Sequence, residues 1–307
     1  MKLHDTQITN YLTFCKSQKC LDVKTIRAYK IDLTHFASTM PAETSLYDIA
    51  SRQIESYIAH LHSIYKPKTA KRKIASLKAF FHYCEFYEFI ERNPFDKIQI
   101  RFREPVILPK TIPLQTLELF LSTIYNQRQP STPSYQQKNA LRDAAVIELL
   151  FATGIRISEL CSLKSCDVNL NDNFVLIYGK GSKERKLQIG NDNVLKTLNE
   201  YKNTFSKEIE NCGHFFANQS GKPLSDQSVR RMIQKYASLA GIDQHITPHM
   251  FRHTFASSLL DADVDIRYIQ EMLGHSSITT TQIYTHVTLA KQKMILTTKH
   301  PRNGFCI

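Results

Sequence analysis

Most of the residues able to do chemistry lie between Thr247 and His286, in TPHMFRHTFASSLLDADVDIRYIQEMLGHSSITTTQIYTH. Thr247 has the chemistry of an N-cap and Pro248 that of a first helical residue, which places His249 in the first turn and Arg252 one turn on, on the same face. Phe255, Leu259 and Leu260 recur at helical spacing, so the opposite face is expected to be buried. A second helix should run from Asp265, with Ile266, Ile269, Met272 and Leu273 inward and Gly274 as its stop. His275 follows that stop directly. Ser and Thr caps then lead into a third helical segment, which carries Tyr284. His249 and His253 stand at the i and i+4 positions that metal-binding helices use. However, Met250 occupies the place where the zincin pattern has Glu, and Arg252 between the imidazoles would repel a dication, so no metal ligands are implied.

Two upstream stretches add polar groups. ALRDAAVIELLFATG reads as a helix ended by Gly154, with Arg156 opening the next short helix. Ile155, Ile157, Leu160 and Leu163 supply its buried faces, leaving Arg156 and Glu159 as a polar pair at i and i+3. By itself this pair fits either a salt bridge closing a turn or part of a site. NFVLIYGKGSKERKLQIG alternates in strand fashion about a Gly-Lys-Gly turn, a β-hairpin pattern with Lys180 at its tip. The flanking glycines let the backbone approach a ligand, and Lys183, Arg185 and Lys186 extend the positive surface.

HxxRH, then LGHSS, then a tyrosine nine positions after that histidine resemble the tyrosine recombinases, the phage-integrase and Xer class of site-specific DNA strand exchangers. Upstream, ATGIRISEL (Ala152 to Leu160) is similar to the family's first arginine motif, and GKGSKER (Gly179 to Arg185) to its catalytic-lysine hairpin. The resemblance spans nearly the whole chain and is to the two-domain, Xer-like members, with no arm-binding domain ahead of residue 1. Arg156, Lys180, His249, Arg252, His275 and Tyr284 fill the six positions of the family pattern without substitution.

The chemistry this implies is coherent. A phenol, with reference pKa about 10, serves as both nucleophile and leaving group, so the bond energy survives in a 3′-phosphotyrosyl link at Tyr284 and no ATP is needed. Arg156 and Arg252 would hold the nonbridging oxygens of the transition state, a task Mg²⁺ performs in other phosphoryl-transfer sites. Lys180 would protonate the leaving 5′ oxygen, and Glu159 would orient the site from behind. His249 would accept the phenol proton and His275 hydrogen-bond the phosphate, two roles that the sequence leaves open to exchange or sharing. No cofactor is implied.

The fold expected to position these groups is mainly α with a small β-sheet in the C-terminal domain. Residues 1–98 read as an all-helical core-site DNA-binding domain, 99–112 as a linker, and 113–307 as a mixed α+β catalytic domain. In the first, Ile8, Leu12 and Cys15 mark one helix, and Ile26, Tyr29, Leu33 and Phe36 a second. Ile54, Tyr57, Ile58 and Leu61 mark a third, and Ile74, Leu77, Phe81 and Cys84 a fourth that runs on towards Pro94. Lys66, Lys68, Lys71, Arg72 and Lys73 crowd the start of that fourth helix, where free N–H groups and side-chain charge both attract phosphate. Arg101 and Arg103 in the linker, Lys183 and Arg185 in the hairpin, and Arg230, Arg231 and Lys235 on a later helix are further candidate phosphate contacts. Asn126 to Asn139 reads as a polar surface loop, and HFFANQSGKPLS as strand-like.

The last stretch, HVTLAKQKMILTTKHPRNGFCI, resembles the Xer tail that docks onto a neighbouring protomer. The resemblance therefore implies that two domains close on double-stranded DNA and that the enzyme acts as a homo- or hetero-tetramer on paired sites. It admits two roles. One is chromosome-dimer resolution with a second Xer-type recombinase and a DNA translocase; the other is mobile-element integration or excision.

Composition fits this reading. Among 307 residues, Lys plus Arg number 40 against 28 Asp plus Glu, a formal +12 that favours a polyanionic partner. Seven scattered cysteines without a CxxC pair argue against a disulfide framework and for a reducing cytoplasm. No apolar run of transmembrane length is present. A type IB topoisomerase would use nearly the same side chains without a tetramer, and a DNA-binding regulator could keep the fold without the reaction.

Overall fold

The computed structural model describes residues 3–41, 44–100, 109–129, 132–179 and 184–274. It divides into two compact units, Met1–Val106 and Ile107–Ile307, each with its own hydrophobic core.

The amino-terminal unit is a bundle of α1 (Leu3–Ser17), α2 (Val23–Thr39), α3 (Ser51–Ile64) and α4 (Pro67–Phe86), with a 3₁₀ turn at Leu46–Asp48. Tyr11, Leu33, Phe36, Ile54, Leu61, Leu77 and Phe81 fill its centre. α4 starts on Pro67, whose missing N–H is no loss in a first turn, and Lys66 at the N-cap supplies no side-chain acceptor. It stops well short of Pro94. Glu88 takes the left-handed conformation (φ 58°), and the Phe89 N–H turns back to the Cys84 carbonyl at 2.8 Å. A non-glycine residue in this conformation leaves no mark in the sequence pattern.

One expected phosphate contact is corrected here. Lys73 is buried, its Nζ donating to Asp32 Oδ1 at 3.1 Å and lying 5.1 Å from the centre of the Tyr65 ring. Asp32, itself fully buried on α2, also accepts from Ser76 Oγ at 2.9 Å and from the Arg72 guanidinium. A carboxylate removed from water needs such partners, so Lys73 is committed to holding α2 against α4.

The carboxyl-terminal unit contains α5 (Leu114–Asn126), α6 (Ser134–Thr153), α7 (Ile157–Ser162), strands β1 (Val168–Asn169), β2 (Phe174–Tyr178) and β3 (Glu184–Gln188), then α8 (Asp192–Thr204), α9 (Ser206–Cys212), α10 (Asp226–Leu239), α11 (Pro248–Asp261) and α12 (Ile266–Leu273). α6 is its central rod: Leu141, Ala144, Ala145, Val146, Ile147, Leu149 and Leu150 are all buried, and α5, α8 and α11 pack around it. The sheet is antiparallel in the order β1-β2-β3, with Phe174 opposite Gln188 and Tyr178 opposite Glu184.

Three expectations change. Half of the supposed polar loop is helix, because Pro133 precedes a first turn at Ser134 and Gln136 and Gln137 bond back to its carbonyl. Within that helix Lys138 pairs with Glu208, and ahead of it Arg128 pairs with Glu200, each at 2.5 Å. The segment read as strand-like forms only single bridges, Lys164 with His214 and Ala217 with Pro223, and α9, unforeseen, precedes it.

Candidate active site

The site begins where α6 ends. Gly154 takes φ 60° and a Cβ there would stand 2.5 Å from Phe255 Cδ1, so only glycine turns the chain this closely against α11. Two residues on, Arg156 is the N-cap of α7. Its backbone N–H donates to Glu159 Oε2 and its Nη1 to Glu159 Oε1, both at 2.8 Å. One carboxylate thus caps the helix and aims the guanidinium. The Glu159 side chain is 6% exposed and that of Arg156 37%, so the arginine is anchored at its inner edge and open at its outer one.

Arg252, from the second turn of α11, is buried and meets that same turn. Its Nη1 donates to the Gly154 carbonyl at 2.8 Å and its Nη2 to the Leu273 carbonyl at 2.7 Å. Both acceptors are helix C-terminal carbonyls, where the backbone carries partial negative charge, so they hold a guanidinium as a carboxylate would without neutralising it.

Arg185 departs from expectation. Read from sequence as a phosphate contact, it is only 11% exposed at its side chain, and its donors are engaged. Nη1 and Nη2 grip Glu159 Oε1 and Oε2 at 3.2 and 2.7 Å, and Nε donates to the Met272 carbonyl at 2.9 Å. The signal for this was present, since strand alternation puts Arg185 on the same face as the buried Leu187. Burial alone would raise the Glu159 pKa, but the bonds from Arg185 and Arg156 outweigh it and hold the carboxyl below its usual range. Two guanidinium groups therefore share one carboxylate, and with Arg252 held by backbone carbonyls the site keeps an excess of positive charge.

His249 sits in the first turn of α11, exposed at the rim. Desolvation by the protein behind it lowers its pKa first, and the charges of Arg230, Arg252 and Arg156 lower it further, so the imidazole is neutral and able to take a proton. Arg156, His249 and Arg252 are thereby brought within electrostatic reach of one another. Arg230, on α10, faces the same point. His253, one turn on, is pushed down to about 4 by burial and by His249 and Arg252.

Arg231 and Lys235 lie on the exposed face of α10, and Lys66, Lys68, Lys71 and Arg72 are exposed at the start of α4. Lys180, Lys183, Arg101, Arg103, His275, Tyr284 and the tail lie outside the described residues. Among the described residues no helix is long and apolar enough to cross a membrane.

Pre-oriented guanidinium groups, Arg252 buried and Arg156 open at its outer edge, beside a neutral imidazole suit charge build-up on a phosphodiester. Comparison with known proteins agrees. The phage integrase family matches residues 122–291, and the phage integrase N-terminal SAM-like domain matches residues 8–85. A tyrosine recombinase of Agathobacter rectalis is 67% identical over 303 residues, covering 98% of both chains. The tyrosine recombinase XerD of Listeria innocua is 36% identical, covering 96% of this chain and 98% of that one. The crystal structure of a XerH site-specific recombinase bound to difH in a pre-cleavage complex shares the fold, with a TM-score of 0.70 at 24% identity over 92% of this chain and 83% of that one. The chain belongs to the phage integrase family: it is a tyrosine recombinase, a DNA strand-exchange enzyme.

Proposed function

We propose that this recombinase cleaves DNA by attack of the Tyr284 phenol on a phosphodiester held between Arg156 and Arg252, and that the other named groups serve that step. The observation carrying this reading is the convergence of the two arginines on one turn, each fixed from behind by Glu159 or by helix-end carbonyls. Preorganised donors stabilise the pentacoordinate transition state without reorganising as charge develops. His249, neutral before the reaction, accepts the phenol proton; His275 binds the phosphate; Lys180 delivers a proton to the departing 5′ oxygen. The P–O bond to that oxygen breaks as the bond to Tyr284 forms. A 5′-hydroxyl of the partner duplex then attacks the phosphotyrosyl link, forming a new DNA P–O bond as the bond to Tyr284 breaks, which releases the phenol and completes the exchange.

Recombining two duplexes breaks four strands, and with one tyrosine per protomer that requires four protomers on paired sites. The tail beyond residue 290 is assigned to contact between them. The exposed basic residues at the start of α4 and on α10 take the DNA backbone.

The test is a nicked suicide substrate drawn from genomic fragments, including the flanks of the gene, incubated in EDTA with wild type and Tyr284→Phe. A covalent adduct that survives denaturation and vanishes in the variant supports the reading, and its position maps the site. Adduct formation by Tyr284→Phe would refute it.

A further inference from the structure

We propose that Arg185 is a positioning residue for strand cleavage, one that fixes the Lys180 hairpin against Glu159 and the end of α12 and so sets where the proton donor for the leaving oxygen stands. The inference rests on the assignment of Lys180 as general acid made above.

Arg185 is the second residue of β3, one position past the residues that join the hairpin strands and opposite Ile177 of β2. Its guanidinium engages Glu159 through both Nη atoms and the Met272 carbonyl through Nε, all three bonds lying between 2.7 and 3.2 Å. A fork bonded at both prongs and at its base has little rotational freedom, so a displacement of β3 is passed to its partners. One of those partners, Glu159, also holds Arg156. The hairpin and the phosphate-binding arginine are therefore referenced to a single carboxylate.

The other face of the strand is held too, with Lys186 Nζ 3.8 Å from the centre of the Phe174 ring on β2. At the far side, Gly274 comes so close that a Cβ there would stand 3.0 Å from Arg185 Nη1 and 3.2 Å from its Cδ and Cζ. Gly274, at the end of α12, thus lies directly against the Arg185 guanidinium. Lysine cannot reproduce this arrangement, since a single ammonium cannot hold both carboxylate oxygens and the Met272 carbonyl in one plane.

A residue that merely stabilised the fold would affect every substrate alike, whereas one acting through Lys180 would not. With sulfur in place of the 5′ bridging oxygen, the leaving group departs as a thiolate and needs no proton, so correct placement of Lys180 ceases to matter. Single-turnover cleavage of oxygen- and sulfur-bridged suicide substrates should be compared for wild type, Arg185→Lys, Arg185→Met and Lys180→Ala, with DNA binding and melting measured on each.

Both Arg185 variants should bind DNA within about 3-fold of wild type, lose about 100-fold on the oxygen substrate and recover to within about 10-fold on the sulfur one, because general acid catalysis is the step affected. Arg185→Lys keeps the charge and decides the matter if Arg185→Met does not fold. Equal loss on both substrates, or no loss, overturns the proposal. If sulfur rescues Lys180→Ala but neither Arg185 variant, the Arg185 proposal alone fails; if sulfur does not rescue Lys180→Ala, the assignment of Lys180 fails with it.

Discussion

Replacing Glu159 with Gln removes one charge and almost no volume from the centre of the site. The carboxylate accepts four hydrogen bonds, one from the Arg156 backbone and three from the guanidinium groups of Arg156 and Arg185. An amide accepts through only one of its two terminal atoms and turns the other, a donor, towards an arginine. The Arg156 side chain is 37% exposed and can turn to solvent, so its loss is small; that of Arg185, 11% exposed, cannot. Removing one partner of a buried pair costs about 3–5 kcal/mol, and the freedom of Arg156 places this case near about 3. For a unit of this size that lowers the melting temperature by roughly 6–12 °C. The effect also has a pH signature. Because the folded Glu159 pKa is depressed, its stabilisation is complete above the unfolded value of about 4.3 and disappears as pH falls through the lower, folded value. Thermal melts of wild type and variant should therefore converge as the solution is acidified. Equal stability at neutral pH, or a gap that persists in acid, would refute the argument.

Gly154→Ala should destabilise the carboxyl-terminal unit by about 2–4 kcal/mol, combining left-handed backbone strain with the contact on Phe255, read as a lowered urea midpoint at unchanged slope. The His249 imidazole, followed by NMR, should titrate below about 6.5 in the free protein and move upward when a DNA site is bound, since a phosphate offsets the charges of Arg230, Arg252 and Arg156. An unchanged value on binding would place the phosphate elsewhere. Lys73→Met should lower the stability of the amino-terminal unit by about 3 kcal/mol while leaving the salt dependence of DNA binding alone, whereas Lys66→Ala and Lys68→Ala should each flatten that dependence by about 0.9 in log–log slope and leave melting unchanged.

Periodicity and caps made much of this architecture legible. Thr247-Pro248 opens α11, Asp265 and Gly274 bracket α12, and Gly154 closes α6, because these residues act within one or two turns of where they stand. The partnership of Arg156 with Glu159 was equally local. What escaped was set by distant neighbours. Lys73 and Lys71 look alike in sequence, yet Lys71 is exposed while Lys73 is buried against a carboxylate on another helix, 41 residues away. Arg185 was read as part of a basic run, and its true partners lie 26 and 87 residues off. β1 is too short to carry a pattern, and Glu88 ends α4 in a conformation its residue type does not announce.

The sharing of Glu159 constrains how such a site can diverge. Two cations lean on one anion, and a change at any of the three leaves the others in an environment built for it. Exchange of Glu159 for a neutral residue becomes tolerable only once Arg185 has also given up its charge, while loss of Arg185 alone lets the carboxylate pull on Arg156 with nothing opposing it. The three positions should therefore drift as a linked set along a lineage. Among related chains, an unpaired change at one of them marks either a compensating substitution near the end of α12 or an enzyme losing its reaction.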